Sequence, residues 1–331
     1  MADRTAPRPS LAAPLALCAI LVGGAWGLGA LVAGAPDDGT PRRRPLASHR
    51  DDGRAEAPAV RWPAHLREVR FGVTPYLDEQ SVQTALAPVL EVLSERIEVP
   101  VRLVVAESYA ELGQMMRQQE IDLAKFSPLS YVEAKEADPD MEILLTQVAS
   151  GSTSYLGYLY VRADDEAEEL GDLAGRSFCY VDPQSTSGYL YPRALLRSRG
   201  LDPDEMFSRT VFGGNHLACL EQVLDGTVDA GAAFSGALAA ARRRGLEVFR
   251  LKILGKTARI PYDAYCARSG LPPAAAGRLK QELLRLSTRT PDGQRLIGGA
   301  GRFNAWTEAS DGDYDSVRQA LALTRQLAPD R

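Results

Sequence analysis

The sequence predicts an α/β protein whose ordered part consists of two related lobes, each built on parallel strands with helices on both faces. Three observations carry this reading. From Glu68 onward, short β-rich runs alternate with stretches of helical apolar spacing, the pattern of βαβ units. The alternation occurs twice, and each series contains a strand that begins with an apolar residue and Asp and ends in Phe-Ser before a helix: Ile121-Asp122 to Phe126-Ser127, and Val228-Asp229 to Phe234-Ser235. A chain of 331 residues, 45% hydrophobic and 24% charged, is also long enough for one large or two medium domains with cores of their own.

Leu11 to Ala35 is almost continuously apolar, follows Arg4 and Arg8, and exceeds the ~20 residues that cross a bilayer core. Residues 1–35 therefore read as a signal peptide or a transmembrane anchor, with the anchor favoured. Cys18 follows Leu17 with most of the apolar run still ahead of it, which is not the place of a lipoprotein cysteine. Arg42, Arg43 and Arg44 lie just beyond the run, on the side that the positive-inside rule draws toward the cytoplasm. Residues 36–65, rich in Pro, Arg, Asp and Ala without periodicity, read as a flexible tether.

Val69 to Val73 is the first strand, and Val82, Leu86, Val89, Leu90, Leu93 and Ile97 then recur at helical spacing. VRLVV (101–105) precedes a short helix around Leu112 to Arg117. IDLAKF (121–126) leads into a helix with Pro128 in its first turn. The second series runs through RSFCYV (176–181), a helix after DPQSTSGYLYP (182–192), RTVF (209–212), a helix from about Asn215, and VDAGAAF (228–234). YLGYLYV (155–161) and the segment from Ile260 to Arg268 are read as the two chain crossings between lobes. Helical patterns from Pro272 to Leu286 and from Tyr314 to Leu327 close the chain.

A net charge of −5 argues against a general nucleic-acid binder, which needs a basic face to neutralise phosphates. The sequence has no zinc-type cysteine spacing, Walker loop or GxGxxG, so no metal or cofactor is expected. With Cys18 in the apolar run, Cys179, Cys219 and Cys266 are an odd number and imply no complete disulfide framework.

The chemistry concentrates in Ser185, Thr186, Ser187 and Gly188, set between a strand and an amphipathic helix. Open α/β sheets bind ligands beyond the carboxyl ends of their strands, where helix N-termini carry unpaired N–H groups and the positive end of the macrodipole. An anion suits that position. Hydroxyls can donate to its oxygens, and a glycine lets the backbone come close. A plain helix cap at Ser185 or Ser187 is the simpler reading, but capping alone needs one such residue. Tyr189 and Tyr191 are read as packing. His216, in FGGNH (212–216), falls at the same level of the fold, and either ring nitrogen can donate to an oxyanion.

With these residues in place, the chain resembles the substrate-binding proteins of bacterial ABC importers for phosphonate, phosphite and phosphate, the PhnD-like group of two-lobed periplasmic binding proteins. The similarity runs from about Arg70 to Leu321. DPQSTSGYLYPRALL (182–196) resembles the group's most specific motif, which makes Ser185, Thr186 and Ser187 the implied hydroxyl cradle. FGGNH resembles the loop that supplies a ligand histidine, here His216. SYAELGQMMRQQEIDLAKFSPLSYVEA (108–134) is similar to the first-lobe segment whose tyrosine, here Tyr109, reaches the ligand. The tyrosine near the first crossing is Tyr155. IPYD (260–263) resembles the second crossing, where Asp263 aligns with an acidic residue that meets a ligand amine in some members. Two departures stand out: Ser127-Pro128 replaces the usual Gly-Pro, adding the Ser127 hydroxyl, and Phe234-Ser235 stands where aminophosphonate binders carry a second acid.

The resemblance implies a type II periplasmic-binding-protein fold, each lobe a mixed, mainly parallel sheet flanked by helices, with residues 66–157 and 262–331 as one lobe and 158–261 as the other. It implies a binding protein rather than an enzyme. A small phosphorus oxyanion would dock on the second lobe's helix mouth while Tyr109, Ser127 and Tyr155 close over it from the other lobe. An ABC permease is the expected partner, with membrane contact through the N-terminal segment and placement on the periplasmic or extracytoplasmic face. A membrane-tethered sensory or adaptor module is the alternative, and a phosphoryl hydrolase would need partners for His216 that the sequence lacks.

Overall fold

A computed structural model describes residues 62–297 and 303–326. The N-terminal segment 1–35 and all but the last residues of the expected tether lie outside the described residues, and among the described residues no helix is long and apolar enough to cross a membrane.

The first lobe begins with strand β1 (Val69–Val73), helix α1 (Glu79–Ile97), strand β2 (Val101–Val105), helix α2 (Tyr109–Arg117), strand β3 (Leu123–Phe126) and helix α3 (Pro128–Ala137). β1 pairs in parallel with both β2 and β3. Each helix starts where a side-chain oxygen meets a first-turn N–H: Asp78 accepts from Ser81 N, Ser108 from Glu111 N and Ser127 from Ser130 N. The residues of α1 that recur at helical spacing are its buried ones, and they join one core cluster with Phe71, Leu279 and Leu283. Full burial of such a side chain stabilises by roughly 1.5–3 kcal/mol.

The chain then supplies β4 (Glu142–Ala149), passes into the second lobe, and returns as β10 (Ala264–Ala267), α7 (Pro273–Leu284), α8 (Pro291–Ile297) and β11 (Phe303–Glu308). The six-stranded order is β11-β4-β10-β3-β1-β2, so the returning β10 sits between β3 and β4 and runs antiparallel to both. The last helix, α9 (Asp315–Gln326), follows a short turn from which the Tyr314 hydroxyl donates to the carbonyl of Tyr262.

The second lobe contains β5 (Ser154–Arg162), β6 (Ser177–Tyr180), α4 (Tyr191–Ser198), β7 (Arg209–Phe212), α5 (His216–Leu224), β8 (Ala230–Phe234), α6 (Ala237–Arg243) and β9 (Leu251–Pro261). Its sheet order is β7-β6-β8-β5-β9, with β6 parallel to β7 and β8, and β5 antiparallel to β8 and β9. Both sheets are thus more mixed than the sequence suggests. Antiparallel pairs equal the parallel ones in this lobe, and they outnumber them three to two in the first.

Two expectations about the crossings are corrected. YLGYLYV is not a connection but most of β5, paired with its sheet from the first residue, Ser154 opposite Pro261 and Gly157 opposite Phe234. Residues 154–157 therefore belong to the second sheet, and the first crossing shortens to residues 150–153, where Ser150 and Gly151 turn the chain at φ 52° and 72°. The second shortens to Tyr262 and Asp263. Burial along β5 agrees: it alternates over the first half, and Leu159, Tyr160 and Val161 are then buried in succession, Tyr160 in one core cluster and its two neighbours in another.

The internal likeness in the sequence has a structural counterpart. Asp122 accepts the N–H of Arg70 at the start of β1, and Asp229 accepts the N–H of Ser177 at the start of β6, both at 2.9 Å. A disulfide joins Cys179 on β6 to Cys219 on α5, with Cα atoms 5.6 Å apart, and Cys266 is free and buried. The odd cysteine count left that pairing open; the adjacency of β6 and α5 decides it.

Candidate functional site

Past the carboxyl end of β6, the chain turns through Asp182-Pro183-Gln184 and enters a π-helical turn, Thr186–Leu190, before α4. The N–H groups of Leu190 and Tyr191 reach back five residues, to the carbonyls of Ser185 and Thr186. Pro192 sits in the first turn of α4, where its missing N–H costs nothing. Ser185, Thr186 and Ser187 are each at most 2% exposed.

Ser185 does cap this turn, its Oγ accepting from Gly188 N at 3.1 Å, so the simple reading holds for one of the three hydroxyls. The other two face across the lobes or along the sheet. Thr186 Oγ1 accepts the N–H of Leu129 in the first turn of α3 at 2.7 Å, which leaves its own O–H able to donate. Ser187 Oγ lies 3.5 Å from the Tyr155 hydroxyl, the long limit of a hydrogen bond. The role of Gly188 differs from expectation. A Cβ there would collide with the Val181 side chain and with Ser185 Oγ, so the glycine is required by the packing of the π-turn against the residue that follows β6.

Ser127, the cap of α3, donates to the carbonyl of Gln184 in the facing loop at 2.9 Å and lies 2.9 Å from Ser130 Oγ. Its hydroxyl is therefore part of the contact between lobes. Tyr109, first residue of α2, is fully buried; its hydroxyl interacts with Ser185, and its backbone N–H meets the Asp182 carboxylate. Burial, joined by the charges of Asp263 and Asp182, pushes the Tyr109 phenol far up, so it stays a neutral donor. Tyr155 is likewise pushed up, by burial and by Asp263. It lies on β5 in the second lobe, beside Ser187, and not on the lobe that closes over the loop as expected.

His216 opens α5 directly after its cap, Asn215. Its backbone N–H donates to the carbonyl of Tyr76 in the first lobe, and its Nδ1 accepts from Phe234 N at 3.2 Å. Since Nδ1 is an acceptor, the ring proton belongs on Nε2. Burial, reinforced by Lys125, lowers the His216 pKa to about 3, so the ring is a neutral Nε2–H donor at neutral pH.

Asp263, on the second crossing, makes an ion pair with Lys125 of β3, whose ammonium also lies 3.9 Å from the centroid of the Tyr76 ring. Burial opposes the ammonium charge, but Asp263 together with the Tyr76 and Tyr265 phenols outweighs it and the Lys125 pKa is raised. The sequence reading missed Lys125, Tyr76 and Asp182. A lysine inside the otherwise apolar strand Leu123–Phe126 was the available signal. All eight expected site residues thus gather where the two lobes meet. The arrangement offers neutral donors and one compensated ion pair, which suits an oxyanion held by hydrogen bonds rather than by bulk positive charge.

The family model for the ABC transporter phosphonate periplasmic substrate-binding protein matches residues 71–314. The phosphate-import protein PhnD of Mycolicibacterium smegmatis is 28% identical over 274 residues, covering 77% of this chain and 85% of that protein. The crystal structure of a binding-protein component of an ABC phosphonate transporter from Pseudomonas aeruginosa superposes with a TM-score of 0.73 at 22% identity, covering 78% of this chain and 86% of the other. PhnD1 from Prochlorococcus marinus in complex with methylphosphonate gives a TM-score of 0.71 at 18% identity, covering 79% of this chain and 99% of that one.

Proposed function

We propose, from the premise that this chain belongs to the family of periplasmic substrate-binding proteins of phosphonate ABC transporters, that it captures a small phosphorus oxyanion between its lobes and delivers it to a permease. As in its family, the chain binds and hands over a solute and is not an enzyme. The observation that carries the ligand class is the buried run Ser185, Thr186, Ser187 at the mouth of a helix, facing Tyr109 and Ser127 from the first lobe.

In this reading the anion docks against the first N–H groups of the π-turn and the hydroxyls of Ser185, Thr186 and Ser187. Tyr109 and Ser127 approach from the first lobe, while Tyr155 and His216 Nε2–H donate from the second. Asp263 stays with Lys125 at the rear of the site. Hinge movement at residues 150–153 and at Tyr262-Asp263 opens and closes the lobes. Hydrogen bonds to a charged group contribute roughly 1.5–3 kcal/mol each, so three or four support micromolar binding, about −8 kcal/mol, after the association costs. Phosphate, phosphite and methylphosphonate fit best, because the end of β8 and the residue after it offer Phe234 and Ser235 in place of a carboxylate.

Residues 1–35 hold the protein at the outer face of the membrane in this proposal, and carbonate extraction of membranes tests it: an anchored chain stays in the pellet. Calorimetric titration of the full chain with phosphate, phosphite and methylphosphonate tests the ligand class, and at least one is expected to bind. Replacing Ser185 and Thr186 together by Ala should weaken that binding 100-fold or more. Unchanged affinity would remove the loop from the site.

A further inference from the structure

Asp263 is the carboxylate that reaches this site from the second crossing: its charge is felt by both Tyr109 and Tyr155, and its side chain is 19% exposed. A carboxylate so placed would ordinarily draw a cationic group of the ligand toward it. Here the chain supplies the cation itself. Lys125, 5% exposed along its side chain, stands opposite Tyr265 in the pairing of β3 with β10, two residues beyond Asp263, and its ammonium is paired with the Asp263 carboxylate. The ammonium is held from a second side by the ring of Tyr76, the residue whose carbonyl binds the N–H of His216. His216 in turn feels the Lys125 charge. The lysine is thus fixed at the boundary of the oxyanion site and does not swing free in solvent.

We propose that Lys125 is a specificity-determining residue: its tethered ammonium fills the cation position beside Asp263, so the protein selects phosphorus oxyanions whose tails carry no positive charge. The inference rests on the oxyanion reading above and adds the chemistry of the tail. A ligand bearing an ammonium would bring a second cation against Lys125 while the only nearby carboxylate on the crossing is already paired, and in a dry site like charges repel strongly. A neutral methyl or hydrogen in that place meets no such opposition. Removing the lysine reverses the preference, because it leaves the half-buried Asp263 carboxylate without its ammonium and open to a ligand amine.

The test compares ethylphosphonate with aminomethylphosphonate, two ligands of nearly equal shape that differ by a terminal CH3 against NH3+. Calorimetric titration of the full wild-type chain should give at least 30-fold tighter binding of ethylphosphonate. Lys125→Met should reverse the order. Lys125→Met combined with Asp263→Asn replaces the ion pair by neutral groups, and the two ligands should then bind within about 3-fold of each other; this variant and the wild-type ratio decide the matter if the single substitution does not fold. Wild-type binding of both ligands within 3-fold, or a ratio unchanged in either variant, would overturn the role of Lys125 and leave the oxyanion site standing. Heat with phosphate or phosphite but with neither phosphonate would assign selection to size and overturn it as well. No heat with any of the four would remove the oxyanion site and this inference together.

Discussion

In the first lobe β1 is followed by Thr74-Pro75 and the 19-residue helix α1, capped by Asp78; in the second, β6 is followed by Asp182-Pro183, a π-turn and an α4 of eight residues. The next helices correspond even more closely. α2 and α5 begin after caps of almost the same backbone shape, Ser108 at φ −146°, ψ 168° and Asn215 at φ −147°, ψ 167°. Each places a buried residue with polar chemistry first, Tyr109 and His216, and each of those residues sends its N–H across to the opposite lobe, to the Asp182 side chain and to the Tyr76 carbonyl respectively. One frame therefore serves both lobes. The difference lies in what is added to it: hydroxyls, a π-turn and a covalent tie in the second lobe, and an arginine-bound aspartate with a buried lysine in the first. Backbone geometry at a helix mouth makes a ligand site available, and the side chains around it decide which lobe holds the anion.

Matched changes in the two lobes test that division. The largest effect is expected from the disulfide. Closing a loop of 40 residues stabilises by about 4 kcal/mol in the chain-entropy model, so Cys179→Ser with Cys219→Ser, or reduction by a thiol, should lower the second lobe's unfolding transition in a calorimetric scan. Loss of ligand affinity should accompany it, because Cys179 and Cys219 tie the strand before the hydroxyl loop to the helix of His216.

Next come the equivalent aspartates. Asp122 is bound by Arg70 and Arg268 and is 2% exposed, whereas Asp229 accepts its hydrogen bonds from Ser177, at 2.9 and 2.7 Å. Asp122→Asn should cost about 3 kcal/mol in urea unfolding, since it removes the charge of the buried carboxylate on which Arg70 and Arg268 converge. Asp229→Asn should cost about 1 kcal/mol. Equal losses would mean that the two positions are not built differently.

The glycines give changes of opposite sign, each smaller than that of Asp122→Asn. A Cβ at Gly113 in α2 would make only ordinary contacts, at 3.9 Å from Arg117 and 4.0 Å from Ala134, so Gly113→Ala should stabilise by about 0.5–1 kcal/mol. Gly188→Ala must displace Val181 or Ser185 and should destabilise by about 2 kcal/mol.

A last contrast separates Tyr109 from His216 by pH. The folded His216 pKa, about 3, lies below the ordinary histidine value of 6.5, so its contribution to stability is complete above pH 6.5 and is lost as pH falls from there toward 3. The slope reaches about 1.4 kcal/mol per pH unit. Urea unfolding between pH 7 and 5 should show it in the wild type, and His216→Gln should lack that component. Tyr109, whose phenol is pushed up, does not titrate in this range.

The parts of the fold legible in the sequence are those fixed by neighbours along the chain. Val69–Val73, Val101–Val105 and Arg209–Phe212 announce themselves as strands, and Ser108, Ser127 and Asn215 stand at helix starts. β4, β9 and β11 carry no such local signal, and β5 and β10 fall in stretches that resemble connectors, because their identity depends on antiparallel partners far away, such as Ala264 opposite Thr146. The same division runs through the site. Three hydroxyls and a glycine between a strand and a helix mark the loop on their own, whereas the bonds of Thr186 to Leu129 and of Ser127 to Gln184 exist only once the lobes are juxtaposed. The role of Lys125 is hidden in the sequence because its partner, Asp263, lies far along the chain, on the second crossing.

The position of β10 between β3 and β4 sets an order of assembly. As the chain emerges from its N-terminus, every strand of the second sheet is available by Pro261, while the first sheet still lacks the strand that fills the gap between its two parts. A newly made molecule therefore passes through a stage with one half complete and the other divided. During that stage the edges of β3 and β4 face no partner, which makes this interval the one in which a chaperone or a protease would find the protein most exposed.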